Sequence, residues 1–412
     1  MPVTVRKPAV RELLIRAFAW LPLAAAALLI GAYGGVQARV YLPVYSLLFA
    51  AMMFAAAFWS TGILPDQSLK RAAWALLVVA IPLAQLVFHT TVDRAATQTA
   101  FLHILAAACG FWLVGLAADR HGFRRSVNLA AAIAAGVLGT WGILQFFLTP
   151  HQIFGVHTIL STLPMGPFVD RDDFAACVEL LLPAVVVLAF ERRTLPGRFP
   201  DAVPISTTAW GAVAGLAVGG VILSGSRAGF LVVVLQLGLL LSTNWSAPVH
   251  RRRMVGIVVG LVMVFGVMVG VKPLVERYKG SWISASGRLD LVRSSVLMGT
   301  RHPFMGFGAG TWAEVYPRFQ FFDDGTVYDY AHSDLAQAWA ETGSVGLIMC
   351  AALLVYIFRM LRVAPRIKSR ENQPFCVGVA GIGLHALIDF PLHIPALLLL
   401  SACWLRLAMD KG

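Results

Sequence analysis

The sequence predicts an all-α, polytopic integral membrane protein with about 12 transmembrane helices. Of its 412 residues, 58% are hydrophobic and only 13% are charged, whereas an ordinary soluble domain has roughly 25% charged residues. Apolar runs recur along the chain at about 18 to 22 residues, the length that a helix needs to cross a bilayer. Basic residues fall in short clusters between these runs. We therefore expect residues 1–412 to form a single membrane domain.

Hydropathy predicts the helices in chain order, and one long loop interrupts the series. The loop covers residues 272–334, between the ninth and tenth helices, and we expect it to carry part of an active site. Within it, Arg288–Thr300 is predicted to lie along the membrane interface as an amphipathic helix, with Leu289, Val292 and Val296 on its apolar side. The predicted helices are 14–33, 41–62, 72–90, 98–118, 127–149, 173–191, 205–224, 228–243, 254–271, 335–358, 374–390 and 392–409.

The distribution of basic residues predicts the orientation of the chain. With the N-terminus inside, 22 of the 33 Lys and Arg residues fall in the predicted cytoplasmic segments. The outer segments hold the other 11, of which seven lie in the loop 272–334. Long loops count little in the positive-inside rule. The bias therefore predicts that both termini are cytoplasmic and that the long loop is outside.

Charge and cysteine content argue against several other classes of protein. The formal net charge is +12, but the basic clusters lack the interleaved aromatic residues of a nucleic-acid-binding strip. We therefore expect no nucleic-acid partner. The five cysteines lie in or beside apolar runs without paired spacing, so we interpret them as packing residues rather than disulfides or metal ligands. They are Cys109, Cys177, Cys350, Cys376 and Cys403.

Three arginines are candidates for binding a phosphate group at the outer face. Arg171 and Arg227 lie at predicted outer helix ends, and Arg288 lies in the long loop. The guanidinium group is planar, always charged and able to bind phosphate oxygens with two hydrogen bonds. The alternative is that these side chains only anchor helix ends at the interface, as long basic side chains commonly do.

His332, at the outer entrance to the tenth helix, is the candidate general base. Histidine suits this role because its unperturbed pKa lies near neutrality, so it could take a proton from an attacking sugar hydroxyl. The alternative is that His332 caps the tenth helix together with Asp334.

Two further patterns are weaker. The glycines at positions 306, 308 and 310 have neither a flanking strand nor a following lysine, so they predict a turn rather than a nucleotide-binding loop. His385, Asp389 and His393 lie near the outer face with some character of metal ligands, but no second ligand cluster accompanies them. We predict no metal site.

Four motifs in order resemble the O-antigen ligase and polymerase family. They are Gly166-Pro-Phe-Val-Asp-Arg-Asp-Asp-Phe-Ala, Leu223-Ser-Gly-Ser-Arg-Ala-Gly, Arg301-His-Pro-Phe-Met-Gly-Phe-Gly-Ala-Gly and Ala331-His-Ser-Asp-Leu-Ala-Gln-Ala-Trp-Ala-Glu-Thr-Gly. Each motif is loose by itself, but their order, their predicted outer placement and the long loop cover about residues 130–410. The first four predicted helices contribute only hydropathy to the resemblance.

The resemblance implies a bacterial inner-membrane enzyme whose active site faces the periplasm. Such enzymes join glycan from an undecaprenyl diphosphate carrier to a sugar hydroxyl, on lipid A core for ligases, without metal, nucleotide or other cofactor. It implies that Arg171, Arg227 and Arg288 hold the diphosphate and that His332 activates the acceptor hydroxyl. The family often has asparagines around the first arginine and His-Asn-Asp at the histidine. Here the first arginine is flanked by aspartates, and candidate sugar or acceptor contacts are Asp172, Asp173, Asp334 and Asp389.

Other functions remain open at the level of sequence. A polymerase of O-antigen or exopolysaccharide would use the same residues with a different acceptor, and a ligase that glycosylates protein is a third alternative. A transporter would need ionisable residues or broken helices near the membrane midplane. Glu179 and Pro183, in the sixth predicted helix, are the few candidates for that role.

Overall fold

The computed structural model of the chain describes helices over most of its length. It describes residues 7–64, 69–158, 164–190, 205–243, 281–322, 325, 327–362 and 369–409. The ninth predicted helix, 254–271, lies outside these residues. The other eleven predicted helices each coincide with an observed helix, although the ends differ by up to seven residues.

Thirteen α-helices, three short 3₁₀ turns and one small strand pair make up the described part of the chain. The α-helices are α1 Lys7–Gly31, α2 Ala38–Ser60, α3 Leu69–Val87, α4 Arg94–Gly115, α5 His121–Leu148, α6 Arg171–Phe190, α7 Ile205–Ser224, α8 Arg227–Thr243, α9 Ser281–Arg301, α10 Trp312–Val315, α11 Asp334–Arg362, α12 Gln373–His385 and α13 Pro395–Met409. The 3₁₀ turns are Tyr33–Gly35, Tyr316–Arg318 and Pro391–His393. Strands β1 Gln152–Ile153 and β2 His157–Thr158 pair antiparallel, so the architecture is helical except for this hairpin.

Among the described residues, seven helices are long and apolar enough to cross a membrane by length and composition. Three shorter apolar helices accompany them: Leu77–Val87, Arg227–Thr243 and Pro395–Met409. These features fit an all-α polytopic membrane protein. The number of about 12 spans stays a prediction. The seven long candidates are Val10–Gly31, Ala38–Ser60, Arg94–Gly115, Gly122–Leu148, Arg171–Phe190, Thr207–Ser224 and Asp334–Val355.

The eleventh predicted helix, 374–390, extends five residues past the end of the observed helix. Helix α12 ends at His385, and the chain then turns through residues 386–390 into the 3₁₀ turn Pro391–His393. Pro391 keeps the helix from continuing through residue 390, because a proline disfavours helical backbone at the residue before it and cannot donate to the preceding turn. Hydropathy missed the turn because Leu387, Ile388 and Phe390 are apolar.

A helix lies where the sequence predicts one in the long loop, and the side that it buries inside the protein is not the one that carries Leu289 and Val296. Helix α9 begins at Ser281, before the predicted start, and it packs against α11. The buried positions are Leu291, Ser294, Ser295 and Met298, which share one face at spacings of three and four residues. Leu289 and Val296, which belong to the apolar side predicted for the membrane interface, are 65% and 49% exposed. Packing against α11 therefore determines which side of α9 is buried inside the protein. The number of apolar residues on each side does not determine it. The position of this helix at the interface stays a prediction.

Helix α6 is the centre of the second half of the fold. Every residue from Asp172 to Phe190 is buried, and α6 is in contact with α5, α7, α8, α12 and α13. Pro183 lies inside it and lacks the N–H that would bond to the carbonyl of Glu179. The Gln236 side chain of α8 donates to that carbonyl instead, at 3.0 Å. This bond supplies the partner that the proline removes.

Small residues let α5 and α7 pack closely. Helix α5 carries glycines at positions 136, 139 and 142, and a Cβ added at Gly139 would lie 2.7 Å from the Cα atom of Ala217 on α7. Such a close approach of backbones is a common basis of helix association in membranes, where dispersion contacts replace the hydrophobic effect. Neighbouring Gly220 of α7 faces the same contact.

A buried carboxylate orders the glycine turn between α9 and α10. Glu341 of α11 accepts backbone hydrogen bonds from Gly310 at 2.8 Å and from Trp312 at 3.3 Å. The glycines at 306, 308 and 310 all have positive φ, which confirms the predicted turn. At Gly343 the helix α11 itself breaks, with φ 62°, and Ser344 donates its N–H to Pro303 at 2.8 Å.

We expect Gly139→Ala to destabilise the fold, because its methyl group would overlap the backbone of α7. Overpacking of this kind costs about 1–3 kcal/mol, and thermal unfolding of the detergent-solubilised protein measures it. The matched control is Gly238→Ala in α8, where no atom lies within 4 Å of the added Cβ. An unchanged melting temperature for Gly139→Ala would contradict the close packing of α5 on α7.

Candidate active site

His332 occupies a constrained position immediately before α11. Its backbone has φ 51°, in the left-handed region that residues with a Cβ rarely adopt. Its neighbours hold it there: Ala331 donates its N–H to Gln337, and the N–H of Asp334 is shared between the carbonyls of Ala386 and Asp389. Backbone strain that the surroundings enforce in this way is often found at functional sites.

The His332 ring is oriented by Asp389, which follows α12. Its Nδ1 atom lies 3.0 Å from Oδ1 of Asp389, which also accepts the N–H of Phe390 at 3.1 Å. His332 retains 22% exposure of its side chain, whereas that of Asp389 is 3% exposed. An Nδ1–H donated to a carboxylate leaves the Nε2 lone pair free, which is the tautomer that a general base needs.

The charge state of Asp389 follows from its neighbours. Burial alone would raise the pKa of this carboxyl group, but the hydrogen bond from His332 and the charges of Arg288, His332 and His385 lower it to about 2. Asp389 therefore stays ionised at neutral pH, and it loses its charge only as the pH falls towards 2.

Arg288 ties the long loop to this carboxylate and to the start of α6. Its Nη2 atom lies 3.0 Å from Asp172 and 3.6 Å from Asp389. The Arg288 side chain is still 38% exposed. The structure thus brings together four residues that the sequence analysis singled out: Arg288, His332, Asp172 and Asp389.

Arg171 and Arg227 begin the neighbouring helices α6 and α8. Arg227 is exposed and follows Gly225, which has φ 69° and lets the chain turn between α7 and α8. Ser226 caps α8 by accepting the N–H of Gly229 at 3.1 Å. Arg171 directly precedes Asp172, the partner of Arg288. It lines a small pocket that includes the end of α7, together with Gln145, Phe146, Pro150, His151, Pro164, Met165, Leu223 and Ser224.

The remaining predicted residues are buried inside the protein. Asp173 lies among other carboxylates near the start of α6. Both oxygens of Asp334 already have protein donors: Oδ1 contacts the ring of His393 and Oδ2 accepts the N–H of Leu392. Burial disfavours the charged ring of His393, but the charge and hydrogen bond of Asp334 raise the pKa of His393 above its ordinary value.

Three histidine–carboxylate pairs therefore connect the elements around the site. They are His332 with Asp389, His393 with Asp334, and His385 with Glu179 at 2.8 Å. Among the described residues, no group of three or more His, Cys, Asp or Glu side chains could hold a metal ion. Sequence analysis gave His385 and His393 some character of metal ligands, and the structure instead pairs each with one carboxylate.

Glu341 and Gln337 are the residues that sequence reasoning missed. Gln337 donates to Glu341 at 2.9 Å and accepts the N–H of Ala331, so it joins the glycine turn to the residue before His332. The available signal was polarity, because both residues lie in the first turns of an otherwise apolar helix. That signal could indicate buried roles but could not name the partners.

Comparison with known proteins finds one family that the central segment of the chain resembles. Residues 212–351 match the family model described as O-antigen ligase. The matched segment contains Arg227, Arg288 and His332, whereas Arg171 and Asp389 lie outside it. A search of curated proteins found no match. Together with the apolar helices, the match supports a bacterial membrane protein of the ligase or polymerase type. The match covers about a third of the chain and confirms the resemblance to the O-antigen ligase and polymerase family.

Proposed function

We propose that this protein is a glycosyltransferase of the bacterial inner membrane that moves glycan from undecaprenyl diphosphate to a sugar hydroxyl of lipid A core. The active site faces the periplasm and both termini are cytoplasmic, as the excess of basic residues in the predicted cytoplasmic segments indicates. The reaction proposed here uses no metal and no cofactor. Partners are the lipid-linked donor, the acceptor and the surrounding membrane lipid.

The observation that carries the proposal is the arrangement of His332. Within a chain whose central segment matches the O-antigen ligase family, this partly exposed histidine has its Nδ1 atom on a buried carboxylate. A guanidinium group lies beside the same carboxylate. A base and a phosphate-binding cation held by one anion are what transfer from a lipid diphosphate requires.

In the proposed reaction, Nε2 of His332 removes the proton of the acceptor hydroxyl as its oxygen attacks the anomeric carbon of the donor glycan. The bond between that carbon and the diphosphate oxygen breaks, and undecaprenyl diphosphate leaves with the bonding electrons. Arg288, Arg227 and Arg171 bind the diphosphate. Their positive charge stabilises the negative charge that builds up on the leaving group in the transition state.

The aspartates have separate roles in this proposal. Asp389 keeps His332 in the correct tautomer, as carboxylates do for catalytic histidines elsewhere. Asp172 positions Arg288 at 3.0 Å. Asp334 holds the turn around His393, and Asp173 stays a candidate for contact with a sugar hydroxyl.

We expect His332→Ala to lower glycan transfer by about 100-fold or more, because general-base catalysis contributes that much to many reactions. The assay uses purified protein, undecaprenyl diphosphate-linked glycan and lipid A core acceptor, with and without a chelator. His302→Ala is the matched control, since His302 is an exposed histidine of the same loop. Equal transfer by His332→Ala and wild type would reject His332 as the base.

The products of the same assay separate ligase from polymerase. Label on lipid A core that survives chelation supports a metal-independent ligase. Longer chains on the carrier without labelled core would make the protein a polymerase, and loss of transfer on chelation would contradict metal independence.

We expect Arg227→Ala to reduce transfer on the order of 100-fold, because it removes one cation that faces the leaving group. Arg94→Ala is the control, since Arg94 is also exposed and also begins a helix, α4. The amount of protein inserted in the membrane should be the same for both variants. A loss of transfer that is equal in the two variants would show that Arg227 only anchors its helix end.

A further inference from the structure

Asp389 has a second neighbour whose role the mechanism above leaves unexplained. Its two carboxylate oxygens are approached by different groups. Oδ1 contacts His332, whereas Oδ2 lies 3.6 Å from Arg288 and 4.0 Å from Nε2 of His385. The other ring nitrogen of His385 lies 2.8 Å from Glu179. A line of ionisable groups thus runs from the partly exposed His332 through Asp389 and His385 to Glu179.

The inner end of this line is enclosed by the protein. Both Glu179 and His385 have 0% exposure. Among the described residues, Nε2 of His385 has no hydrogen-bond partner within range, and the same holds for Oδ2 of Asp389. The two atoms therefore face one another across a short gap. Ionisable groups inside a membrane domain are costly to bury, and they are usually kept for a function.

Helix geometry extends the line along α6. Asp172 and Glu179 are seven residues apart, so they lie two turns apart on the same face. Asp172 binds Arg288 at the outer end, and Glu179 binds His385 deeper in the bundle. The same face of α6 therefore presents one carboxylate to each of the two cationic side chains that approach Oδ2 of Asp389.

Packing does not require an ionisable pair at this depth. Gln236 of α8 already joins the same two helices by donating to the carbonyls of Glu179 on α6 and Val377 on α12. Replacing a buried ion pair by apolar residues is often neutral or stabilising in proteins. A purely structural role would leave the cost of burying Glu179 and His385 without a compensating benefit.

We propose that Glu179 and His385 are positioning residues for the catalytic base. Glu179 holds the His385 ring with Nε2 towards Asp389 and favours its protonated form. The positive ring then keeps Asp389 ionised and fixed beneath His332, so that Nε2 of His332 stays free to accept a proton. This inference rests on the proposed function, because it concerns the activity of His332.

Other charged groups also act on this pair, and they stay in place in the variants proposed below. Arg288 and His332 approach Asp389 from the long loop and from the residue before α11. Among the other titratable groups of the described residues, Asp172 acts on both Glu179 and His385, and Asp170, Asp173 and Asp334 interact with Asp389.

The test is the pH dependence of transfer by Glu179→Gln, which keeps the shape of the side chain but removes its charge. Without Glu179 the His385 ring is expected to become neutral, so less positive charge faces Asp389 and His332. The pH below which transfer is lost should then rise. We expect kcat to fall about 10-fold with little change in KM for the donor, and the acid limb of the rate profile to move up by roughly one pH unit.

Two further variants make the test decisive. His385→Gln should move the acid limb of the rate profile in the same direction. This variant provides the test if Glu179→Gln yields no folded protein. Gln236→Met is the matched control, because Gln236 lies at the same junction without a titratable group. It should leave the pH profile unchanged.

The outcomes separate this inference from the proposed function. Absence of transfer by wild type would reject the function itself. If wild type is active and Glu179→Gln keeps its rate and pH profile, the positioning role is rejected. A lower rate with an unmoved acid limb, or an equal movement in Gln236→Met, would also overturn it, because packing alone would explain the loss.

Discussion

The need to satisfy polar groups inside the protein is the constraint on which this structure depends most. A membrane domain has little water available to its interior, so a buried carbonyl or carboxylate must find a protein partner. Helix α6 meets this constraint most strictly, because it is enclosed along almost its whole length. Pro183 frees the Glu179 carbonyl and Gln236 occupies it, while Trp404 donates to the next carbonyl, Leu180, at 2.9 Å. These bonds fix α8, α12 and α13 against α6.

The same constraint builds the candidate site. Each of the three histidine–carboxylate pairs joins residues far apart in the chain: 57 positions for His332 with Asp389, 59 for His393 with Asp334, and 206 for His385 with Glu179. Neither member of such a pair would have its hydrogen bonds satisfied alone in a buried position. The pairs therefore fix the positions of the end of the long loop, α6 and the turn after α12 relative to one another. Chemistry and folding therefore draw on the same contacts at this site.

Periodicity and composition predicted the helices well, because a helix that crosses a bilayer satisfies its own backbone and shows as one apolar run. They do not show what tertiary contact decides. Hydropathy extends α12 five residues past its end at His385, and it does not show which face of α9 packs on α11. His332 and the three arginines could be named from motifs and residue chemistry. The partner of His332 could not, since nothing local in the sequence links it to Asp389, and Glu341 showed only as a polar residue in an apolar helix.

The position of Arg288 also bears on the order of events in the proposed reaction. Its guanidinium group is paired with Asp172 and lies beside Asp389, yet more than a third of the side chain is exposed. A diphosphate that binds there must compete with these carboxylates for the same donors. Any shift of Arg288 towards the donor would weaken its contact with Oδ2 of Asp389. A positively charged His385 ring would then be the cation that remains beside this carboxylate. On this reasoning the buried pair matters most when the donor is bound, which is when His332 must act as a base.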